Sequence, residues 1–263
     1  TRSLIVTGVQ TCALPIFLED SPDRSVITMT IEDAEHYTPE DRARIIASYP
    51  PHEREARTKG VPSLGSGRIF PVEESAITIE PREIPKHWPQ IIGIDFGWDH
   101  PFAACRLAWD RDNDCIYVTG EYRQREASPI IHAASIKPWG EWIPIAWPHD
   151  GLQHDKGSGE QLAAQYRAQG LNLLPERATF DDGTNGVEAG VSDMLQRMQT
   201  GRWKVFNTCN AWFEEFRLYH RDDGKIVKER DDLLSGSRYG LMMKRFAEVK
   251  SAKEPKFERR KVV

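Results

Sequence analysis

Ile91-Ile92-Gly93-Ile94-Asp95-Phe96-Gly97 is an apolar run that leads into a single carboxylate, with Pro89 before it and a glycine two residues after the acid. A short apolar segment bounded by turn formers reads as a buried strand. An acid closing such a strand gives up hydration that only a cation, a hydrogen bond or a proton can replace. Asp95 is therefore the first candidate functional residue. The other acids matter according to whether the fold can carry them to it.

Working outward, Phe102–Trp109 and Cys115–Tyr122 read as two further strands around the polar turn Asp110-Arg111-Asp112-Asn113-Asp114. With Gln90–Asp95 they form an expected antiparallel meander. Beyond it the pattern alternates. Helices are expected at Ser128–Trp139, Gly159–Gln169, Val187–Gln199, Asn210–Tyr219 and from Asp231 to about Phe246. Strands are expected at Ile143–Trp147, Leu171–Leu174, Trp203–Phe206 and Lys225–Lys228. A meander followed by helix–strand alternation is an α/β fold with a mixed sheet flanked by helices.

Upstream, Ser25–Thr30 is expected as a strand. Thr38-Pro39-Glu40-Asp41 opens a helix with a capping hydroxyl, a proline at the first helical position and acids in the first turn. That helix stops at Tyr49-Pro50-Pro51, and a second, charged one spans His52 to Lys59. Gly60-Val61-Pro62-Ser63-Leu64-Gly65-Ser66-Gly67-Arg68 is a linker by composition, and no Gly-Lys-Ser/Thr follows to make it a phosphate loop. Thr1 to Ile16 fits neither this plan nor a signal peptide and looks like a translated sequencing adapter. The chain thus divides into 1–16, expected to be non-native, 17–86, 87–247 and a basic tail at 248–263.

The chain has 263 residues, 39% of them hydrophobic, enough for one sizeable core. Charged residues make up 29%, and no apolar run approaches the roughly 18 residues of a membrane span, so a soluble protein is expected. Cys12, Cys105, Cys115 and Cys209 include no C-x-x-C pair, so neither a zinc ribbon nor a disulfide framework is expected. Cys105 and Cys115 flank the hairpin and could face each other as reduced thiols. A net charge of −5 argues against a protein that coats nucleic acid by charge alone, yet leaves room for carboxylates that work with divalent metals. The segment Lys244 to Lys261 carries eight Lys or Arg against three Glu. The eight tryptophans are spread along the chain and read as core and edge packing rather than a base-stacking platform.

Three acids hold matching positions in this plan. Asp95 ends the first strand, Asp150 in Pro148-His149-Asp150-Gly151 follows the strand Ile143–Trp147, and Asp231-Asp232 opens the final helix. Each has a plain alternative: a helix cap for Asp231 or Asp232, a turn start for Asp150. Two strand ends and a helix start can meet at one edge of a sheet.

This constellation resembles the ribonuclease H-like nuclease domain of phage terminase large subunits. Gly93-Ile94-Asp95-Phe96-Gly97-Trp98 is similar to that family's first-strand motif and Pro148-His149-Asp150-Gly151 to its second acid. Asp231-Asp232-Leu233-Leu234-Ser235 through Arg238-Tyr239-Gly240-Leu241-Met242 resembles its last helix. Gly183-Thr184-Asn185-Gly186-Val187-Glu188-Ala189-Gly190 and Met198-Gln199-Thr200-Gly201-Arg202-Trp203-Lys204-Val205-Phe206 resemble a recurrent terminase segment. Tyr49-Pro50-Pro51-His52-Glu53-Arg54-Glu55-Ala56-Arg57 and Gly65-Ser66-Gly67-Arg68-Ile69-Phe70 look like the connection from the packaging ATPase. Walker motifs are absent, so 17–86 looks like the end of a motor domain plus linker, with ATP belonging to the part not present. Ser235 stands where many relatives have an acid, which shifts that role to Asp232, with Asp231 as the cap, or to Asp231.

The resemblance implies a metal-dependent endonuclease that cuts concatemeric double-stranded DNA in the host cytoplasm, at the procapsid, alongside a terminase small subunit and a portal protein. Asp95 would bridge two Mg2+ or Mn2+ ions, with Asp150 and Asp232 each holding one side. His149 would steady Asp150 or a water, or be a plain neighbour. His154-Asp155-Lys156 would be a DNA-contact loop. Arg238 and Tyr239 read as packing and a surface ion pair. Two alternatives remain: a ribonuclease H-like module that binds DNA or a portal without cutting, and an actin-like ATPase fragment. For the latter, Ile94-Asp95-Phe96-Gly97 resembles a phosphate motif, but Trp98-Asp99 follows where a Ser or Thr is usual.

Overall fold

A computed structural model of the chain describes residues 30–34, 36–49, 54, 58, 67–153 and 161–251. The expected strand at Ser25–Thr30 apart from Thr30, the expected helix His52 to Lys59 apart from Arg54 and Thr58, most of the linker, the loop His154-Asp155-Lys156 and most of the basic tail lie outside them.

The centre is a six-stranded mixed sheet in the order β1-β6-β4-β3-β2-β5. Its strands are β1 (Thr78–Ile79), β2 (Gln90–Asp95), β3 (Phe102–Asp110), β4 (Cys115–Gln124), β5 (Ile145–Ala146) and β6 (Trp203–Phe206). The meander is as expected: β2 pairs antiparallel with β3, and β3 with β4. β5 and β6 then add in parallel at either side, on β2 and β4. The helices are α1 (Pro39–Ser48), α2 (Glu74–Ile77), α3 (Pro129–Ile136), α4 (Leu162–Ala168), α5 (Val187–Gln199), α6 (Asn210–Leu218) and α7 (Asp232–Met242). A small hairpin, β7 (Arg221–Asp222) with β8 (Lys225–Ile226), stands apart from the sheet.

Side chains alternate across the sheet with a period of two, and the two faces have separate cores. Ile92, Ile94, Phe102 and Ala104 pack with Ala133 and Ile136 of α3 and Ala163 and Tyr166 of α4. Ile91, Ala103, Cys105 and Leu107 pack with the layer that contains α5, α6 and α7. Gly93 and Asp95 share the register of Ile91, so they face that second layer. α5 runs over Val187–Gln199 and β6 over Trp203–Phe206, both with the expected bounds.

Several expectations fail at the edges. Ile143–Trp147 shortens to two residues because Pro144 and Pro148 flank it and donate no ladder hydrogen bond. Leu171–Leu174 keeps a single bridge, Leu173 to Ile145. β1, unanticipated, pairs in parallel with β6. Cys105 and Cys115 do not face each other: Cys105 sits opposite Gly93 and Glu121, and Cys115 opposite Asp110. The Cys105 thiol instead donates to the Leu233 carbonyl at 3.2 Å, tying α7 to β3. α7 ends at Met242 and a separate 3-10 turn covers Lys244–Phe246.

The meander's far end is held by Asp114, in the β3–β4 turn. Its carboxylate accepts from Trp109 Nε1 at 3.0 Å, Arg197 Nη2 at 3.2 Å, Arg202 Nη1 at 2.9 Å and Lys244 Nζ at 3.2 Å. Burial opposes that charge, but Arg197 and Lys244 overcome it and hold the carboxyl down at about 2.

Two outcomes are expected. A Cβ on Gly93 would lie 1.9 Å from the Gly236 carbonyl oxygen, so Gly93→Ala destabilises by about 3 kcal/mol or more in urea unfolding. The Asp114 carboxyl is lower in the fold than its ordinary 3.8, so its contribution is complete above about pH 4 and is lost as pH falls toward 2. Asp114→Asn therefore lowers the melting temperature at pH 7 and flattens its fall between pH 4 and 2, which thermal melts across that range measure.

Candidate functional site

Asp95 is placed by a backbone-to-backbone contact. α7 lies directly on β2: a Cβ on Gly93 would also fall 2.6 Å from Gly240 N, and one on Gly236 would sit 3.0 Å from the Gly93 carbonyl oxygen. Gly236 abuts Gly93 and Ile94, while Gly240 abuts the Gly93 nitrogen, so the helix runs opposite to the strand. One turn back from Gly236, about 5.4 Å, is Asp232; two residues on from Gly93, about 6.6 Å, is Asp95. The two acids come level at the same edge of the sheet.

Asp150 arrives by another route. It lies in a 3-10 turn, His149–Leu152, after β5. Glycine follows it because that turn rests on aromatic rings: a Cβ on Gly151 would be 2.4 Å from Trp147 Cε3 and 2.8 Å from Phe96 Cε2. Phe96 is the residue after Asp95, so the turn is packed against the end of β2. Gln153 donates to Asp150 Oδ1 at 3.0 Å. Asp150 and His149 are both exposed.

The electrostatics join these positions. Burial raises the Asp95 carboxyl well above its ordinary value. The charges of Asp232, Asp231 and Asp150 add to that rise, and the Arg238 guanidinium opposes it. Asp231 is raised by burial and by Asp232, against Arg238 and Lys228. Asp232 is raised by burial, with His100 pulling the other way. All four acids singled out in the sequence thus form one electrostatic group centred on Asp95.

One neighbour, Glu215, was missed, and two expected roles are corrected, those of Asp231 and Arg238. Asp231 occupies the position before α7 but makes no side-chain cap bond; its backbone carbonyl accepts from Ser235 N at 2.7 Å. The cap is Glu215 from α6. Its Oε2 accepts from Leu233 N at 2.7 Å and Leu234 N at 3.1 Å, and its Oε1 accepts from Arg123 Nη1 at 2.8 Å. Glu215 is fully buried, and burial pushes its carboxyl up to about 8 against the pull of Arg123. The sequence signal was available: Glu215 sits in the apolar stripe Trp212, Phe216, Tyr219 of its own helix, where a solvated acid does not belong.

Arg238 likewise lies in the stripe of Leu234, Leu241 and Met242. It is buried rather than part of a surface ion pair, with its guanidinium 4.3 Å from the Tyr239 ring centre. Gly190 of α5 makes room for it, since a Cβ there would lie 2.6 Å from Arg238 Cγ. A buried cation beside clustered acids reduces their mutual repulsion.

The donors gathered here are carboxylate oxygens, the hard ligands that Mg2+ and Mn2+ take. Among the described residues no three His, Cys, Asp or Glu side chains close a cage around an ion. The acids share a field, and the donor chemistry suits a divalent cation, without a finished coordination sphere.

Comparison with known proteins gives concordant relatives. The family model for the terminase RNaseH-like domain matches residues 92–244, and that for the terminase large subunit, T4likevirus-type, N-terminal, matches residues 13–77. The terminase large subunit of Salmonella phage P22 is 52% identical over 238 residues, which is 90% of this chain and 48% of that protein. That of Enterobacteria phage LP7 is 52% identical over 225 residues, 85% of this chain and 47% of the relative. The chain therefore spans about half the length of these relatives. The solved P22 large terminase nuclease domain superimposes with a TM-score of 0.67 at 51% identity, covering 70% of this chain and 96% of that one. A large terminase from a thermophilic bacteriophage, solved in complex with ADP, shares the fold, with a TM-score of 0.54 at 16% identity over 83% of this chain and 55% of that one.

Removing the buried cap has a separable cost. Glu215→Ala strands two amides and one guanidinium and is expected to destabilise by about 3 kcal/mol or more. Glu215→Gln, which keeps an oxygen for the two amides, is expected to lose less than half as much; urea unfolding of both variants measures the difference.

Proposed function

The chain belongs to the terminase large-subunit family through its ribonuclease H-like domain, and on that premise we propose that it is a metal-dependent DNA endonuclease domain. Its substrate would be concatemeric double-stranded DNA, cut by phosphodiester hydrolysis during packaging. The observation that carries this reading is the Asp95 carboxyl, raised by burial and by the charges of Asp232, Asp231 and Asp150.

The acids have distinct tasks in this reading. Asp95, central and half-buried, would touch both metal positions. Asp232, buried at the start of α7, would hold one side, with Asp231 as the alternative ligand from the same helix start. Exposed Asp150 would hold the other side, nearest to arriving DNA. Arg238 would offset part of the repulsion among the acids. When bound, two Mg2+ or Mn2+ ions supply an activated water and stabilise charge on the leaving 3′ oxygen.

In the complete protein the DNA would be shared with a terminase small subunit and a portal protein at the procapsid in the host cytoplasm, and ATP would belong to the motor. No helix among the described residues is long and apolar enough to cross a membrane. A second reading, a module that binds DNA without cutting it, is favoured by the open arrangement of the acids and by Ser235. Titration with Mn2+ separates the two: saturable binding lost in Asp95→Asn supports the nuclease, and binding no stronger than that of the variant supports the module.

The purified chain is expected to nick supercoiled plasmid with Mn2+ or Mg2+ and to stop in EDTA. Asp95→Asn should cut on the order of a hundredfold more slowly with an unchanged circular dichroism spectrum. Unaltered nicking by that variant removes Asp95 from the reaction. Comparing Asp231→Asn with Asp232→Asn assigns the helix ligand, and the larger loss is expected for Asp232.

A further inference from the structure

A groove of about 310 Å³ opens immediately beside Asp232, and nothing in the hydrolytic reading uses it. One wall is the end of β4, with Arg123, Gln124 and Arg125. Another is the turn before α7, with Arg230, and the floor comes from α6. Arg123 is already committed, with Nη2 on Glu214 at 3.1 Å and Nη1 on Glu215 at 2.8 Å. Asp232 lines the same groove, and Arg125, which is exposed, and Arg230 bring two further guanidinium groups to it beside that acid.

Arg230 is held in place by its backbone. It has φ +54, a left-handed conformation that costs a non-glycine residue roughly 1–2 kcal/mol. That turn carries Arg230 on the lining of the groove, immediately before Asp231.

The third element is Trp98. Of the eight tryptophans it stands out by exposure, at 58% of its surface, so the reading of all eight as packing fails here. The turn bearing it is tight: a Cβ on Gly97 would lie 2.2 Å from the His100 carbonyl oxygen. Glu126 N donates to the Trp98 carbonyl at 3.2 Å, which brings the Trp98 main chain next to the residue that follows Arg125. Pro101, from the same turn, lines the groove.

We propose that this groove seats the sugar–phosphate backbone flanking the scissile position of a nucleic-acid strand, with Arg125 and Arg230 taking phosphates and the Trp98 indole covering the neighbouring sugar. Two cations and an aromatic plane are what such a strand requires: guanidinium forks match phosphate oxygens, and an indole face covers sugar or base without reading sequence. A chain with net charge −5 cannot gather DNA by its overall field, so binding must come from local cations of this kind. The proposal rests on the nuclease reading only for the identity of the polyanion.

Fluorescence anisotropy of a fluorescein-labelled DNA duplex in EDTA tests it with cutting and metal both removed. Arg125→Glu is expected to weaken binding about tenfold and to lower the slope of log affinity against log salt by about one. Arg230→Asn, a residue that tolerates the left-handed turn, should weaken it several-fold with a similar loss of slope. Trp98→Ala should weaken it about fivefold or more and leave the slope unchanged, because no charge is removed. Arg111→Glu, at the opposite end of the meander, should change it less than about twofold. Equal weakening by Arg111→Glu and Arg125→Glu, no effect of Arg125→Glu, or no binding by the unaltered chain overturns the proposal. Asp95→Asn distinguishes the two readings: full duplex binding without nicking supports both, and binding with no nicking even by the unaltered chain upholds the groove while removing the nuclease.

Discussion

The approach of α7 to β2 through Gly93, Gly236 and Gly240 is the constraint on which the rest depends. Any side chain at Gly93 would overlap the helix backbone, so the contact exists only because three positions carry no Cβ. Helices ordinarily stand off a sheet by the depth of a side-chain layer. Here the layer is missing along one line, and the helix start is drawn to the strand end. The apolar side chains that flank this line, Leu233 and Leu241 from the helix and Leu107 from β3, fill the space to either side. Packing therefore does what no hydrogen bond could do alone: it holds Asp232 beside Asp95 against their repulsion.

That repulsion must be offset somewhere. Arg238 supplies one buried positive charge from the same helix, and Glu215 secures the helix start by accepting from its first amides. A backbone cap would ordinarily come from the residue before the helix. Asp231 is released from that duty because an acid from α6 has taken it, and its carboxylate instead accepts from Ser235 Oγ at 3.5 Å. The cost appears in the raised carboxyls of Asp95, Asp231, Asp232 and Glu215, each held up first of all by burial. Desolvated like charges concentrated at one edge of a fold mark a candidate functional site. The contrast within this chain is Asp114, whose surrounding cations push its carboxyl down.

The sheet and its two helical layers were legible because period and punctuation agree there. β2, α5 and β6 begin and end where glycine, proline or a polar turn says they should. What failed was set by tertiary context. β1 has two residues, too few to show a period, and exists because β6 offers it a parallel edge. Leu171–Leu174 has strand composition but meets β5 only where that strand, clipped by two prolines, has room. The acids Asp95, Asp150, Asp231 and Asp232 were visible as acids at element ends. Glu215 and Arg238 were hidden in the opposite sense, as charges inside apolar stripes, and a charge in a stripe becomes informative only when the stripe is known to face a site.

The site is unevenly built, and the unevenness has a physical reading. Asp95 and Asp232 ride on elements fixed by backbone contact and by a buried cap, whereas Asp150 rides on an exposed turn that touches them through Phe96 and Gly151. Two acids are thus positioned by folding itself and a third by contact with aromatic rings. Gathering like charges raises the free energy of the fold, and in the proposed reading a cation that bound all three would recover that energy. A chain that had answered every carboxylate with an arginine, as it does at Asp114, would be more stable and would have nothing left to offer a metal. On the proposed nuclease reading, the open arrangement of the acids would leave the repulsion stored by packing available to a divalent cation.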